Sequence, residues 1–174
     1  IRDRNFSGQG SWTNMVATQS ISGERKNKEN DLWLTGGLKI TPLKDWTINV
    51  DYTYNMYILS KKQHGKEILE HTANPDIVTV FPHTTPSRVK FTTDDNYYQT
   101  FNAYTDYSKS LGKHNIKLLL GYNYETKSYR WFNAERENLI SNDLAGLGQA
   151  YGEKYNGSGQ HSWATMGYFA RINY

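Results

Sequence analysis

Side chains able to do chemistry are present in this chain, but they are dispersed. The five histidines, at 64, 71, 83, 114 and 161, show no metal-ligand spacing such as His-Glu-x-x-His. His64 and His71 flank a charged segment and read as solvated side chains, so no metal site is expected. Asp94-Asp95 resembles an oxygen-rich cation site only in composition, since two adjacent carboxylates are usually exposed loop charge. Asp51 and Asp106 fall on separate segments and suit the polarity of a wall better than a converging acid–base pair. With no cysteine, a thiolate site, a disulfide framework and a cysteine nucleophile are all excluded. No catalytic residue and no cofactor are assigned, and an enzyme is not expected. What remains is recognition chemistry. Trp131 and Phe132, beside Arg130 and Arg136, are placed in a loop where they either stack on sugar rings or pack against a lid, or else fold the loop onto a rim. Tyr97 and Tyr98 read as interfacial anchors.

The elements that must carry these residues have a period of two. In Trp46 to Tyr57, Ile48, Val50, Tyr52, Tyr54 and Met56 share one face, and Thr47, Asn49, Asp51, Thr53 and Asn55 the other. Similar alternation runs through Leu32 to Ile40, Tyr97 to Ser108, Ile116 to Tyr129 and Trp163 to Tyr174. Several of these runs are longer than the roughly 5–6 residues of ordinary strands and match the roughly 9–11 of a tilted membrane-crossing strand. Gly36 and Gly37 sit inside the first run, where glycine weakens a strand unless a bulge, bend or close approach needs it. Between the strands, short reversals at Thr41 to Asp45 and Ser110 to Asn115 alternate with long polar stretches at Leu59 to Asn96 and Arg130 to Ser162. Pro42 and Gly112 suit the reversals. A short strand is expected within Asp76 to Phe81. Ile1 to Asp31 reads as loop, with a solvated charge run at Glu24 to Glu29.

Composition supports an all-β reading at an interface between oil and water. Aromatics make up 14% of the 174 residues, with 14 Tyr against 6 Phe, a bias toward rings with one wet end. Apolar content is low at 37%, and there is no run of 18 apolar residues to form a membrane helix. A net charge of +3 with both signs interspersed gives no argument for nucleic acid. Short turns alternating with long loops is the rhythm of an outer-membrane barrel. Trp46 falls near the short turns and Tyr54 and Tyr124 toward the long loops, where two aromatic girdles belong. The fold expected is an antiparallel transmembrane β-barrel segment, about five strands of a larger barrel with long extracellular loops. On this reading Val50, Tyr52, Leu118, Leu120, Ala170 and Ile172 face lipid. Asn49, Asp51, Asn102, Asp106, Asn123, Glu125 and Arg171 face the lumen. The alternative is a soluble β-sandwich carbohydrate-binding module, which explains the aromatics but not the long strands or the one-sided loops.

Several stretches, taken in order, carry a family resemblance. They are Asp31-Leu32-Trp33-Leu34-Thr35-Gly36-Gly37 with the turn Thr41-Pro42-Leu43-Lys44-Asp45-Trp46, then Asn96-Tyr97-Tyr98-Gln99-Thr100, then Gly121-Tyr122-Asn123. Arg136 through Leu144 and Trp163 through Tyr174 complete the set. Together they resemble the SusC-type TonB-dependent transporters, the glycan importers of Bacteroidetes. The resemblance implies an outer-membrane barrel that imports oligosaccharides, peptides or other nutrients, is energised through TonB and is covered by a SusD-like lipoprotein. It also implies that residues 1–174 are part of one barrel domain whose plug and TonB-contacting segment are not in this stretch.

Overall fold

The computed structural model describes residues 19, 21–71, 76, 78–81 and 84–174. Residues 1–18 and 20, together with 72–75, 77, 82 and His83 of the Leu59 to Asn96 stretch, therefore lie outside the described residues. Among the described residues seven strands form: β1 (Gly23–Leu43), β2 (Trp46–Gly65), β3 (Leu69–His71), β4 (Val78–Val80), β5 (Arg88–Leu111), β6 (His114–Glu137) and β7 (Lys154–Asn173). The five long strands make one antiparallel sheet in the order β1-β2-β5-β6-β7. The short β3 and β4 pair antiparallel, Leu69 opposite Val80 and His71 opposite Val78, inside the β2–β5 connection. The expected strand within Asp76 to Phe81 is thus present, and its partner at Leu69–His71 is an addition. No helix among the described residues is long and apolar enough to cross a membrane.

Each of the five alternating runs is a strand, but every strand is longer than its alternation. β1 begins at Gly23 inside the expected first loop, and β2 continues to Gly65. β5 starts at Arg88, while β6 runs to Glu137 and β7 starts at Lys154. The loop assignments over 23–31, 59–65, 88–96, 130–137 and 154–162 are therefore corrected to strand. Backbone pairing continues there although the side chains no longer alternate. The reversals are also tighter than the sequence suggests, two residues each, at Lys44-Asp45 and Gly112-Lys113. Pro42 is not the turn's corner. It lies in β1, an edge strand of this sheet, where a missing N–H is tolerated. Gly112 has φ +64, as the first corner of a two-residue hairpin of the II′ type requires.

Two compact units divide the residues. The first comprises Ile1–Lys28, Ser60–Thr93 and Phe132–Ser158. It holds the small core of Val89, Leu139 and Ala150, with Phe91, Ala145 and Leu147 packed around it. The connection after β6 is firmly tied within this unit. Leu139 and Ala150 form an isolated bridge, and Ile140 N–H donates to the Gln149 carbonyl at 2.9 Å. Leu139 N–H donates to Ser87 Oγ at 3.0 Å. Asn142 braces the backbone of Glu67 in both directions, at 2.9 and 3.1 Å.

The second unit comprises Glu29–Leu59, Asp94–Trp131 and Gly159–Tyr174. It contains none of the four buried hydrophobic residues, which are Ile68, Val89, Leu139 and Ala150. Instead one of its faces is apolar and open. Leu34, Leu38, Ile40, Tyr52, Ile116, Leu120, Met166, Tyr168 and Ile172 are all exposed, and all belong to the apolar sides of their alternating runs. Along this face Phe101, Tyr122 and Tyr168 make tilted ring contacts at 6.2 and 5.1 Å between centroids. The Trp46 indole donates to Thr105 Oγ1 at 2.5 Å, which in turn donates to the Thr47 carbonyl. The opposite face is polar. The hydroxyls of Thr35 and Thr53 meet at 3.0 Å, and Asn123 Nδ2 donates to Asn102 Oδ1 at 2.7 Å. A water-soluble sandwich has to bury one face of each sheet. Among the described residues no second sheet covers the apolar face of this unit.

Glycines on the polar face make room for aromatic rings. The Phe169 ring fills the space that a Cβ at Gly121 would occupy, and an added Cβ at Gly159 would lie 2.5 Å from Trp131 Nε1. Gly37 makes a similar space for the Asp51 carboxylate, 2.7 Å from an added Cβ, whereas Gly36 has nothing near it. Of the readings open for this pair, close approach holds at Gly37. Gly121→Val should therefore displace Phe169 and cost about 1–3 kcal/mol, as overpacking does. Gly36→Ala should be neutral or slightly stabilising. Denaturant titration of the full-length protein in detergent checks both.

Candidate functional site

On the polar face of the second unit, side chains from four strands frame an open cavity of about 440 Å³. It is lined by Asp31, Trp33, Asn55, Tyr57, Tyr98 and Lys127, with Asn96 beside them. Strand pleat explains the convergence. Asp31 and Trp33 are two apart on β1, Asn55 and Tyr57 on β2, and Asn96 and Tyr98 on β5, so each pair projects to one side. Asp31 is the hub. One carboxylate oxygen accepts from Asn55 Nδ2 at 2.7 Å, and the other accepts from the Trp33 indole N–H at 3.2 Å. Asn55 is itself buried and also donates to the Leu32 carbonyl at 3.2 Å. Trp33 and Tyr98 meet with ring centroids 6.4 Å apart at 56°. The Tyr98 hydroxyl donates to Glu125 Oε1 at 2.7 Å. The result is two fixed aromatic rings flanked by a carboxylate, an amide and an ammonium group. Such a surface can stack on a planar group and hydrogen-bond its edges. It holds no paired acid and base at reacting distance.

The sequence-derived candidates divide between environments. Tyr98 and Glu125 belong to this cavity. Tyr97, one residue on, projects to the other face beside Arg130, whose guanidinium donates to Asp95 at 2.9 Å. Trp131, Phe132 and Arg136 are strand residues of β6, which corrects their assignment to a loop. Successive strand residues point to opposite faces, so Trp131 and Phe132 do not share one stacking surface. The Trp131 indole lies over Gly159 on the polar face, whereas Phe132 is 52% exposed. Arg136 donates to the Leu147 carbonyl at 3.1 Å and helps hold the connection after β6. Of the polar-wall residues, Asn102, Asn123 and Glu125 are joined in cross-strand pairs, and Asp51 lies against Gly37. Asn49, Asp106 and Arg171 follow them by strand parity. Among the described residues no cluster of three or more His, Asp or Glu is placed to hold a metal ion.

The cavity residues that sequence reading overlooked are Asp31, Trp33, Asn55, Tyr57, Asn96 and Lys127. Their signal was present in the alternation, since each lies on the polar parity of its strand. Strand order was missing, and that alone brings Trp33 to Tyr98 across a neighbouring strand. Asp31→Ala should leave buried Asn55 with one partner fewer and free the indole of Trp33. A cost of about 1 kcal/mol is expected, with a red-shifted tryptophan emission, both read in an unfolding titration followed by fluorescence.

No family model and no curated protein matches the chain. Solved structures match its fold. The RagAB peptide importer in the "closed-closed" state matches with a TM-score of 0.75 and 17% identity, over 87% of this chain and 16% of that one. The same importer in the "open-open" state matches with a TM-score of 0.77 and 16% identity, over 94% of this chain and 17% of that one. The chain therefore spans less than a fifth of the length of the chains it matches. Its fold is all-β, five long antiparallel strands arranged as in part of that importer's barrel.

Proposed function

We propose that this chain forms part of the wall of a SusC-type TonB-dependent transporter in the outer membrane. The observation that carries this reading is the two-faced sheet of the second unit. Most of its exposed aliphatic residues, Leu34, Leu38, Ile40, Leu120 and Ile172 among them, fall on one parity, and Asn55, Asn102, Asn123 and Glu125 fall on the other. An exposed apolar face of that extent needs lipid or another protein surface to cover it. Five strands are too few to close a barrel, for which about eight is the practical minimum, so further strands complete it. The likeness to a barrel importer supports the same assignment.

On this reading Asn49, Asp51, Asn102, Asp106, Asn123, Glu125 and Arg171 line the lumen with the Trp33–Tyr98 cavity. Val50, Leu118, Leu120, Ala170 and Ile172 meet acyl chains. The short turns lie in the periplasm, and the connections of the first unit lie outside, where a SusD-like lipoprotein covers them. TonB acts through a plug that lies in another part of the protein. The RagAB structures it resembles are of a peptide importer, which favours oligopeptides over glycans as cargo. A strain lacking the transporter should lose growth on an oligopeptide mixture as sole nitrogen source and keep growth on oligosaccharides. The opposite pattern would assign a glycan importer.

Leu120, 45% exposed on the apolar face, provides a direct check of placement. Leu120→Arg should cost roughly 2–4 kcal/mol in a refolding titration into lipid if the residue lies near the midplane. A change under about half a kcal/mol would remove it from the lipid face. Orientation is tested with cysteines introduced at Tyr151, in the connection after β6, and at Lys113, in the β5–β6 turn. An impermeant maleimide applied to intact cells should label Tyr151→Cys and spare Lys113→Cys. Labelling only at 113 would invert the topology.

A further inference from the structure

The first unit contains a pocket of about 360 Å³ where the end of β2 meets the starts of β1 and β5. Its charged lining is Arg25, Lys66, Arg88 and Glu24, and His64 is among its polar residues. We propose that this pocket binds a phosphate-type oxyanion, either free phosphate or the phosphomonoester of a larger molecule.

Among the described residues the lining carries three basic side chains, Arg25, Lys66 and Arg88, against one carboxylate, Glu24. Glu24 is held by Lys26 at 2.9 Å, and the neighbouring Asp143 is held by Lys66 at 3.4 Å. Glu67 accepts from Thr85 Oγ1 and the Ser87 N–H instead. Among the described residues, Arg25 and Arg88 have no carboxylate partner. A planar guanidinium with several donors matches the oxygens of phosphate in paired hydrogen bonds. Arg88 is also partly fixed. Its Cγ lies 3.3 Å from the Cβ that Gly65 lacks, so its stem crosses the strand at the glycine. That close fit lowers the entropy lost when the guanidinium engages a ligand.

His64 supplies the second and independent feature. The residue is 5% exposed, and its Nε2 is buried with no hydrogen-bond partner among the described residues. A buried polar nitrogen without a partner costs free energy, and a turn of the ring that brings it to a ligand oxygen in the pocket would relieve that cost. Burial first, then Lys66 and Lys62, hold its pKa below the ordinary histidine value. That environment favours the neutral imidazole, which presents a single N–H. Gly23, at φ +111, packs its backbone directly against the His64 carbonyl, where no side chain would fit. The pocket is therefore closed on that side by backbone. Its volume lies within the about 300–1,000 Å³ of small-molecule sites, larger than one bare phosphate needs, so a substituent on the phosphate can be accommodated.

The test uses the full-length protein in detergent, titrated with inorganic phosphate while thermal unfolding is followed, with chloride at matched ionic strength as control. A saturable stabilisation by phosphate and none by chloride is expected. Arg88→Gln should weaken the apparent affinity by about tenfold or more, and Arg88→Lys by less, because charge remains while the fork is lost. His64→Leu should weaken it as well, with His64→Gln retaining more because a donor persists. Phosphatidic acid in mixed micelles forms the second arm. Tighter binding of the lipid than of free phosphate assigns a membrane head group, and the reverse assigns a soluble phosphate. Equal responses to phosphate and chloride would overturn the proposal. So would a heat-modifiable, folded Arg88→Gln protein that binds phosphate and phosphatidic acid like the wild type.

Discussion

The structure depends first on pairing every backbone N–H and C=O of its long strands with a neighbour. In lipid an unpaired group costs several kcal/mol, so a sheet that meets a membrane cannot fray or bend away within the hydrocarbon. Strands of 20–24 residues satisfy that demand mostly with neighbours adjacent in sequence, β1–β2 and β5–β6 through two-residue turns and β6–β7 through the longer 138–153 connection. The exception is the step from β2 to β5, where the connection folds its own β3–β4 pair. Side chains then have only one freedom left, which is parity.

Parity is what links the sequence to a possible role. Once one side of the sheet is given to aliphatic and aromatic residues, the other is free to be polar without needing a core. Asp31, Asn55, Asn102, Asn123 and Glu125 use that freedom, and they satisfy one another and nearby tyrosine and tryptophan donors across strands. A soluble domain of this size would instead bury one side of its sheet. Here the few buried hydrophobic residues, Ile68, Val89, Leu139 and Ala150, gather in the first unit around the strand ends and connections.

What the sequence revealed follows from the same physics. The stretch Trp46 to Tyr57 shows its two faces residue by residue because those faces meet different surroundings. Past that zone the alternation fades. In Trp131-Phe132-Asn133-Ala134-Glu135-Arg136-Glu137 both faces carry polar residues, yet β6 persists because backbone pairing does not depend on side-chain polarity. Reading this segment as loop was the natural error, and it misplaced Trp131, Phe132 and Arg136 together. The Arg136 to Leu144 stretch shows a different limit. Its residues looked like generic polar loop, but Asn138 adopts φ +57, Leu139 enters the core and Asn142 braces Glu67. None of those roles has a period to detect. The aromatic cavity was half visible: parity put its residues on one side, and only strand order showed that Trp33 reaches Tyr98.

The central claim is that one parity of the second unit meets lipid and the other meets water. Because this stretch contains no cysteine, it can be scanned directly by site-directed spin labelling. Labels placed one at a time from Asn49 to Met56 in the full-length protein, reconstituted in bilayers, should show collision with oxygen at even positions. Collision with a water-soluble nickel chelate should rise at odd positions, giving opposite oscillations with a period of two. Uniform access to the nickel chelate at every position, or oscillations in phase, would contradict the account.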